Sequence, residues 1–314
     1  MKLATFDAGE GQRLGALTAS GDALVDLTST GQADLASMQA LIDAGDAGLA
    51  KARAALEAGD PIRLQDVKLL APLPCPPQIR DASTAPRHIM NAPVGMRRLA
   101  ALLQDQPDPG PAEGSIPDIY RAQPIFYITN RFSVAGHGAD IRWPGYSRYM
   151  DYELEVAVVI GKGGRDIPAA SAMDHVFGFT IFNDFSARDT QLREMQGMLG
   201  PAKGKSFDAG NVFGPWIVTR DEIADYRNLR CTAHINGRLV TDSRLGEMLH
   251  GFEDMIAYIS DSETLHPGEI IGGGTVDDGC GLERCEFLSD GDEISLTVEG
   301  IGSLVNKVVA AGQR

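Results

Sequence analysis

The spacing of apolar residues changes once within the first 60 positions of the chain. Residues 1–29 alternate apolar and polar side chains around Gly-rich turns, which is typical of strands, whereas residues 33–58 carry Ala and Leu at helical spacing. Four prolines within residues 72–77 then favour an extended connection, because proline disfavours helix in the residue before it. The pattern predicts a small N-terminal α+β cap over residues 1–70 and a second domain over residues 71–314.

Short apolar runs dominate the chain beyond residue 119. An Asn-Gly pair at 236–237 predicts a hairpin inside the longest of them. Helices are predicted at 96–103, 219–226 and 245–260, the second opened by a capping box. The expected fold is α+β and mainly β, with the sheets closed into a barrel or roll and helices at the periphery. The predicted strands are 125–128, 153–160, 176–182, 216–219, 229–241 and two within 291–309.

Residues 104–118, with the sequence QDQPDPGPAEGSIPD, combine proline, glycine and acidic residues without periodicity. This composition predicts a loop rather than a helix or strand. A loop of this length either lies on the surface or forms a lid over a binding site, and both interpretations remain open.

Charge and composition exclude several classes of function. The chain has 314 residues, 43 acidic and 28 basic, and a formal net charge of -15, which repels nucleic acids and anionic membrane surfaces. The N-terminus lacks a continuous apolar stretch, and no later segment has the length needed to cross a bilayer. The four cysteines follow no zinc-finger spacing, so we expect free thiols and a soluble cytoplasmic protein.

The most informative local feature is a pair of glutamates, Glu153 and Glu155, inside a run that otherwise resembles a buried strand. Residues two apart in a strand share a face, so the two carboxylates lie side by side. Holding both charged beside an apolar strand costs on the order of several kcal/mol unless one is protonated or a cation intervenes. Oxygen ligands favour magnesium, calcium or manganese. A strand with a solvated Glu face explains the pair equally well.

Four further candidate residues follow this strand. Asp184 stands where the next apolar strand ends, and a third carboxylate there could complete a metal-binding face. Arg188 and Gln191 lie one helical turn apart, so both can point at one ligand. Lys205 offers an ammonium group from a Gly-flanked loop. Each of these residues, taken singly, also fits a surface ion pair or a helix cap.

The order of the motifs along the chain resembles the fumarylacetoacetate hydrolase superfamily. The motifs are E-x-E, NDxSARDxQ, GKSFD, GPW, an NG hairpin, L-x-PG-E-I, GGT and GDEI. The resemblance runs from about residue 72 to residue 310, and MKLATF and LLAPLP resemble the cap of the same family. It implies a β-roll or barrel of the fumarylacetoacetate hydrolase type.

The resemblance also implies a set of site residues. It places a divalent metal, Mg²⁺ first with Mn²⁺ or Ca²⁺ as alternatives, on four carboxylates: Asp81, Glu153, Glu155 and Asp184. The fumarylacetoacetase branch has a catalytic His seven residues after its metal-binding Asp, here His88, paired with a Glu, here Glu283. The positions for oxyanion stabilisation and substrate binding are Lys205, Arg188, Gln191 and Thr275, and Tyr127 is a further candidate for substrate contact.

These residues predict hydrolytic cleavage of a carbon-carbon bond. His88, oriented by Glu283, would take a proton from water, while the metal would bind a 1,3-diketo acid such as an acylpyruvate. The expected partners are a small anionic keto acid and a second copy of the chain in a homodimer, with neither nucleic acid nor membrane. The alternatives are a decarboxylase, hydratase or isomerase of the same superfamily, and a noncatalytic ligand-binding module on the same scaffold.

Local departures from the fumarylacetoacetase pattern argue against fumarylacetoacetate itself as the substrate. Ala82 and Ser83 follow Asp81 where that pattern has an aromatic residue nearby, and two extra acids, Asp277 and Asp278, follow the GGT motif. The remaining histidines have no matching motif and are expected to be structural: His137, His175, His234, His250 and His266.

Overall fold

The computed structural model describes residues 1–110, 114–246 and 248–310. Six α-helices lie in these ranges: α1 Met38–Ala58, α2 Pro86–Leu103, α3 Asp118–Ala122, α4 Ala169–Ala172, α5 Arg188–Glu194 and α6 Phe252–Ser260. The strands are β1 Lys2–Asp7, β2 Gln12–Leu17, β3 Ala23–Asp26, β4 Pro61–Arg63, β5 Lys68–Leu69, β6 Ile79–Ala82, β7 Phe126–Ile128, β8 Val134–Ala135, β9 Asp140–Arg142, β10 Met150–Asp151, β11 Leu154–Ile160, β12 Val176–Asp184, β13 Ser186–Ala187, β14 Asn211–Thr219, β15 Arg230–Ile235, β16 Arg238–Arg244, β17 Ile270–Gly272, β18 Glu293–Val298 and β19 Gly302–Val309.

Most of these strands join one large mixed sheet. Its order is β4-β3-β2-β1-β14-β12-β11-β17-β6-β7, with β5 paired to β1 and β8 paired to β14. A second sheet has the order β16-β15-β18-β19-β9, and β10 pairs with β13 alone. The mainly β, α+β fold is confirmed. Within the described ranges the sheets do not close into a barrel, so the barrel form of the prediction is wrong.

Alternation along β11 explains how the layers pack. Val156, Val158 and Ile160 belong to the core shared with the second sheet, while Ala157 and Val159 belong to the core under helix α1. Because successive residues of a strand point to opposite faces, a continuously apolar strand lies between two hydrophobic layers. All seven residues of β11 are buried.

The N-terminal strands continue the large sheet. β1 pairs antiparallel with β14, and Thr219 at the end of β14 accepts a hydrogen bond from the N-terminal amine at 2.5 Å. The division of the chain at residue 70 stays a prediction, and the sheet itself crosses it. Among the described residues, no helix combines the length and apolar character that a bilayer crossing needs.

Several predicted elements differ from the observed ones. The predicted helix at 219–226 is wrong: β14 runs to Thr219, and two short 3₁₀ turns follow. The predicted helix at 96–103 is the C-terminal part of α2, which begins ten residues earlier with Pro86 at its first position. Of the loop at 104–118, residues 111–113 lie outside the described ranges, and its role as a lid stays a prediction.

Candidate active site

Three strands of the large sheet, β12, β11 and β6, place carboxylates on one face, with β17 between β11 and β6. Ile79, Ala157 and Phe182 lie in the core under α1, and residues two positions along from each share that face. Those residues are Asp81 on β6, Glu155 on β11 and Asp184 at the end of β12. Glu153 is two residues before Glu155 and forms an isolated bridge with Cys280.

The four acids predicted as metal ligands therefore meet. One carboxylate oxygen from each of Asp81, Glu153, Glu155 and Asp184 lies within 4.8 Å of the others, and all four side chains are buried. Burial raises the pKa of Asp81, and it raises the pKa values of Glu155 and Asp184 well above their ordinary range, because a carboxylate out of water disfavours its charge.

Sequence reasoning missed the glycine between two of these acids. Gly272 on β17 pairs with Asp81 on one side and with Ala157 of β11 on the other. A β-carbon on Gly272 would lie 2.3 Å from Asp81 Oδ1 and 3.0 Å from Glu155 Oε2. The space between these two carboxylates therefore exists because the intervening residue has no side chain, and only the strand pairing shows this.

Two buried cationic side chains, Lys205 and Arg188, contact acids of the cluster. Lys205 Nζ donates to Glu153 Oε2 at 2.7 Å and also to Asp184 Oδ2. Arg188 lies 2.6 Å from Glu153 Oε1 and donates through Nε to Asp151 Oδ2 at 2.9 Å. Burial would raise the pKa of Glu153, but Arg188 and Lys205 outweigh burial and hold it below its ordinary value.

Asp151 is a second residue that sequence reasoning missed. It is fully buried, binds Arg188, and accepts the backbone N–H groups of Gly281 and Leu282 at 2.8 Å each. The sequence did indicate it, because Asp151, Glu153 and Glu155 are each two residues apart along one extended segment and therefore share a face. Asp151 connects the acid cluster to the turn that carries Glu283.

The donor set fits a hard divalent cation. Five buried carboxylates (Asp81, Asp151, Glu153, Glu155 and Asp184) face two buried cations, a formal excess of three negative charges when all these groups are ionised. Asp81 Oδ1, Glu155 Oε2 and Asp184 Oδ1 are buried and have no hydrogen-bond partner among the described residues. Carboxylate oxygens that converge in this way suit magnesium, manganese or calcium rather than softer metals.

The four residues predicted to contact substrate, Arg188, Gln191, Thr275 and Tyr127, lie at or beside this cluster and make different contacts. The hydroxyl of Tyr127 donates to Asp184 Oδ2 at 2.5 Å, and Thr275 Oγ1 lies 3.4 Å from Glu155 Oε1. Gln191 Oε1 accepts a hydrogen bond from Arg188 Nη1 at 2.9 Å. The amide nitrogen of Gln191 can therefore donate a hydrogen bond to a ligand. Arg188 itself is 1% exposed.

The predicted His/Glu pair is present. His88 Nδ1 lies 3.0 Å from Glu283 Oε1, with the His side chain 12% exposed and the Glu side chain 1% exposed. Burial would lower the pKa of His88, but the hydrogen bond and charge of Glu283 raise it above its usual value. Cys280 Sγ, which the motifs did not indicate, lies 3.6 Å from Glu283 Oε1 and 3.9 Å from His88 Nδ1.

A single cavity of about 600 Å³ joins these groups. Asp81, Glu153, Glu155, Lys205 and Thr275 line it together with His88, Gln191 and Tyr127. Its volume is within the roughly 300–1,000 Å³ range of sites that enclose a small organic molecule. The arrangement provides a carboxylate cluster for a cation, a buried ammonium and a histidine base, all facing one space.

Comparison with known proteins assigns the class. The family model described as fumarylacetoacetate (FAA) hydrolase C-terminal matches residues 94–309, and the chain belongs to this family. Its proteins are enzymes that include hydrolases and oxaloacetate tautomerases.

Three relatives illustrate this range. The mitochondrial oxaloacetate tautomerase Fahd2a of Rattus norvegicus is 41% identical over 188 residues, 59% of this chain and 59% of that protein, so the chain spans less than two thirds of this curated relative. The fumarylacetoacetate hydrolase of Exiguobacterium antarcticum has a TM-score of 0.76 at 27% identity, covering 99% of this chain and 100% of that one. The maleylpyruvate hydrolase of a Sphingobium species, in complex with manganese(II) and pyruvate, has a TM-score of 0.75 at 26% identity with the same coverage.

Proposed function

We propose that this protein is a metal-dependent hydrolase that cleaves the carbon-carbon bond of a 1,3-diketo acid, with an acylpyruvate as the model substrate. The observation that carries the proposal is the His88–Glu283 pair, 3.0 Å apart, whose histidine lines the same cavity as three acids of the cluster, Asp81, Glu153 and Glu155. A general base beside a cation site is what water attack on a carbonyl requires. The two structural relatives named as hydrolases support it.

Asp81, Glu153, Glu155 and Asp184 would hold the cation, Mg²⁺ by our first choice, and the Mn²⁺ in the Sphingobium relative supports Mn²⁺ as well. When bound, a divalent cation polarises a carbonyl and stabilises negative charge on the oxygens of a diketo acid.

His88 moves the protons. Its Nδ1 is held by Glu283, so Nε2 is the nitrogen left to take a proton from water. The hydroxide attacks the carbonyl carbon of the acyl group, and a C–O bond forms. When the C–C bond breaks, its electron pair goes to the pyruvate half as an enolate, and the imidazolium returns the proton to that carbon. Water and acylpyruvate thus give a carboxylic acid and pyruvate.

Lys205 and Gln191 stabilise the developing oxyanion. The surrounding carboxylates raise the pKa of Lys205 against the effect of burial, so the ammonium stays charged while it lines the cavity. Arg188 orients Gln191 through Nη1 and fixes Glu153. Because its nitrogens already bind protein groups, we assign Arg188 to positioning rather than to the direct grip on a substrate carboxylate expected from the sequence.

A second candidate is oxaloacetate tautomerase activity. The 41% identity to the rat tautomerase over 188 residues favours it. A tautomerase moves a proton between carbon and oxygen and needs no attacking water, so the same base and cation could serve it.

One experiment separates the two activities. Purified protein with Mg²⁺ or Mn²⁺ is given acetylpyruvate, with pyruvate release measured, and enol-oxaloacetate, with ketonisation measured. We expect pyruvate release in wild type, a loss of about 10²–10⁴-fold in His88→Asn, unchanged Mn²⁺ binding in that variant, and normal activity in the control His175→Asn. Rapid ketonisation without pyruvate release would replace the hydrolase with the tautomerase. Neither activity nor metal binding would favour a noncatalytic ligand-binding module.

We further propose a small anionic keto acid as the ligand and a homodimer as the assembly, for which sedimentation showing a monomer at micromolar concentration would be the contrary result. The cytoplasm is our proposed location, although the rat relative carries a mitochondrial name.

A further inference from the structure

We infer that the cavity selects acylpyruvates whose acyl group is uncharged and apolar, such as a medium-length alkyl chain or an aryl group. The inference rests on the proposed function and names its substrate class. The carboxylate cluster, Lys205 and His88 occupy one part of the cavity, and apolar side chains from α2, α5 and the segment before β7 line the rest of it.

The apolar part of the cavity runs along one face of helix α2. His88, Ala92 and Met96 follow one another at four-residue spacing and all line the cavity, so they share one face of the helix. At 1.5 Å per residue, Met96 lies roughly 12 Å along the helix axis from His88. An acyl chain that starts at the attacked carbonyl beside His88 can therefore extend along α2.

Two other elements complete the apolar walls. Leu192 and Met195 follow Gln191 out of α5, and Met195 remains 45% exposed. Phe126, at the start of β7, lines the cavity next to Tyr127. An apolar ligand that covers Met195 would remove apolar surface of both the ligand and the side chain from water. This burial would favour binding of an apolar acyl group.

The described part of the cavity wall offers no second cation for a negative charge. Lys205 is the one Lys or Arg among the described residues that line it, and Glu153 and Asp184 already bind it. Oxaloacetate, maleylpyruvate and fumarylacetoacetate each carry a second carboxylate. In this cavity that group would lose water without gaining a cation, which is costly.

A substrate series tests the inference. For acetyl-, butanoyl-, hexanoyl- and octanoylpyruvate with Mn²⁺-loaded enzyme, kcat/KM is expected to rise roughly fourfold per methylene until the apolar part is filled. Benzoylpyruvate is expected to be a good substrate, and fumarylpyruvate to fall below hexanoylpyruvate by about a hundredfold or more. Values independent of chain length, or a preference for fumarylpyruvate, would overturn the inference.

A charge-introducing variant gives the reciprocal test. Met96→Arg places a cation in the apolar part and is expected to reverse the order of fumarylpyruvate and hexanoylpyruvate. Leu102→Arg is the matched control, because Leu102 lies on the same helix, is 47% exposed and is not among the lining residues. An unchanged preference in Met96→Arg would contradict the inference.

The two proposals fail separately. Hydrolysis of acetylpyruvate without any effect of chain length removes the substrate class and leaves the hydrolase. If nothing in the series is cleaved, the hydrolase fails, and calorimetric binding of the same acids to the Mn²⁺-loaded protein still decides the substrate class: affinity that does not rise with chain length overturns it.

Discussion

Glu153 and Glu155 lie two residues apart and have opposite electrostatic environments. Arg188 and Lys205 hold the pKa of Glu153 below its ordinary value despite burial, whereas burial and Asp81 raise that of Glu155 well above it. The cations of the protein therefore neutralise one side of the cluster. On the other side, Asp81 Oδ1 and Glu155 Oε2 lack hydrogen bonds among the described residues, as does Asp184 Oδ1, and neither Asp81 nor Glu155 contacts a cation of the protein, so a bound cation would be needed there most.

At this scale the first prediction concerns Gly272. Gly272→Ala is expected to weaken Mn²⁺ binding by about tenfold or more, because the new methyl group would lie 2.3 Å from Asp81 Oδ1 and force that carboxylate to move. Calorimetric titration measures the affinity. Gly197→Ala is the control, since its added methyl meets nothing within 4 Å. Equal affinities in the two variants would refute the role of Gly272.

The second prediction concerns pH. A general base acts as the neutral imidazole, so kcat/KM should fall as the pH drops through the raised pKa of His88. Glu283→Gln removes the group that raises this pKa and leaves burial, which lowers it. The acid limb should then move to lower pH while the plateau rate falls. A pH profile at saturating Mn²⁺ checks this, and an acid limb that does not move would exclude the pairing from catalysis.

The residues that the sequence revealed are those whose spacing along the chain is informative. Glu153 and Glu155 share a face by strand period alone, and Asp184 ends an apolar strand. Gly272 was not recognised because its role depends on which strands lie beside it, whereas Asp151 has the same strand spacing as Glu153 and Glu155 and only its contact with the turn at Gly281 and Leu282 depends on the fold. Nothing in the sequence around Gly272 indicates that the strands on either side of it carry carboxylates.

At the scale of elements, the position of His88, the proposed base, depends on how α2 packs. Gly95 contacts the backbone of the turn Leu282–Arg284, which carries Glu283, and a β-carbon there would lie 2.2 Å from Leu282 O. Asn91 and Arg98 of the same helix also reach Glu283 and Arg284. The helix and the turn therefore fix the His88–Glu283 distance together.

This packing gives the third prediction. Gly95→Ala should push α2 away from the turn and lower kcat by about 10–100-fold, since a displacement near 1 Å is enough to misalign a catalytic group. Mn²⁺ affinity should stay unchanged, because the carboxylates lie on strands and not on α2. Activity is measured against Gly197→Ala. Loss of metal binding together with activity would instead indicate general misfolding.

Local sequence signals predicted some elements well and others poorly. The Asn236-Gly237 hairpin is present, with both residues at positive φ, because the turn itself dictates that conformation. The helix expected after Thr219 is absent, since Thr219 is the last residue of a strand that pairs with β1, and its hydroxyl binds the N-terminal amine. The contact of Thr219 with the N-terminus, more than 200 residues away in the chain, uses the hydroxyl that the predicted helix cap required.

At the scale of the whole molecule, a cation held by the acid cluster would couple metal binding to folding. A ligand that binds only the folded state stabilises it by about 2.7 kcal/mol at a hundred times its Kd. The fourth prediction is therefore a rise in Tm on the order of a few degrees with saturating Mg²⁺ or Mn²⁺, reversed by a chelator. Differential scanning calorimetry measures it, with Glu155→Gln expected to show little rise. An equal rise in that variant would point to another binding site.

We propose that Asp81, Glu153, Glu155 and Asp184 together hold one divalent cation. The most direct test is a Mn²⁺ titration followed by electron paramagnetic resonance, in which free and bound Mn²⁺ differ. We predict one tightly bound Mn²⁺ per wild-type chain, retained in the exposed-site control Glu286→Gln and lost in Glu155→Gln and Asp184→Asn. Wild-type protein that binds no Mn²⁺, or Glu155→Gln and Asp184→Asn variants that bind it as tightly as wild type, would show that these four acids are not a metal site.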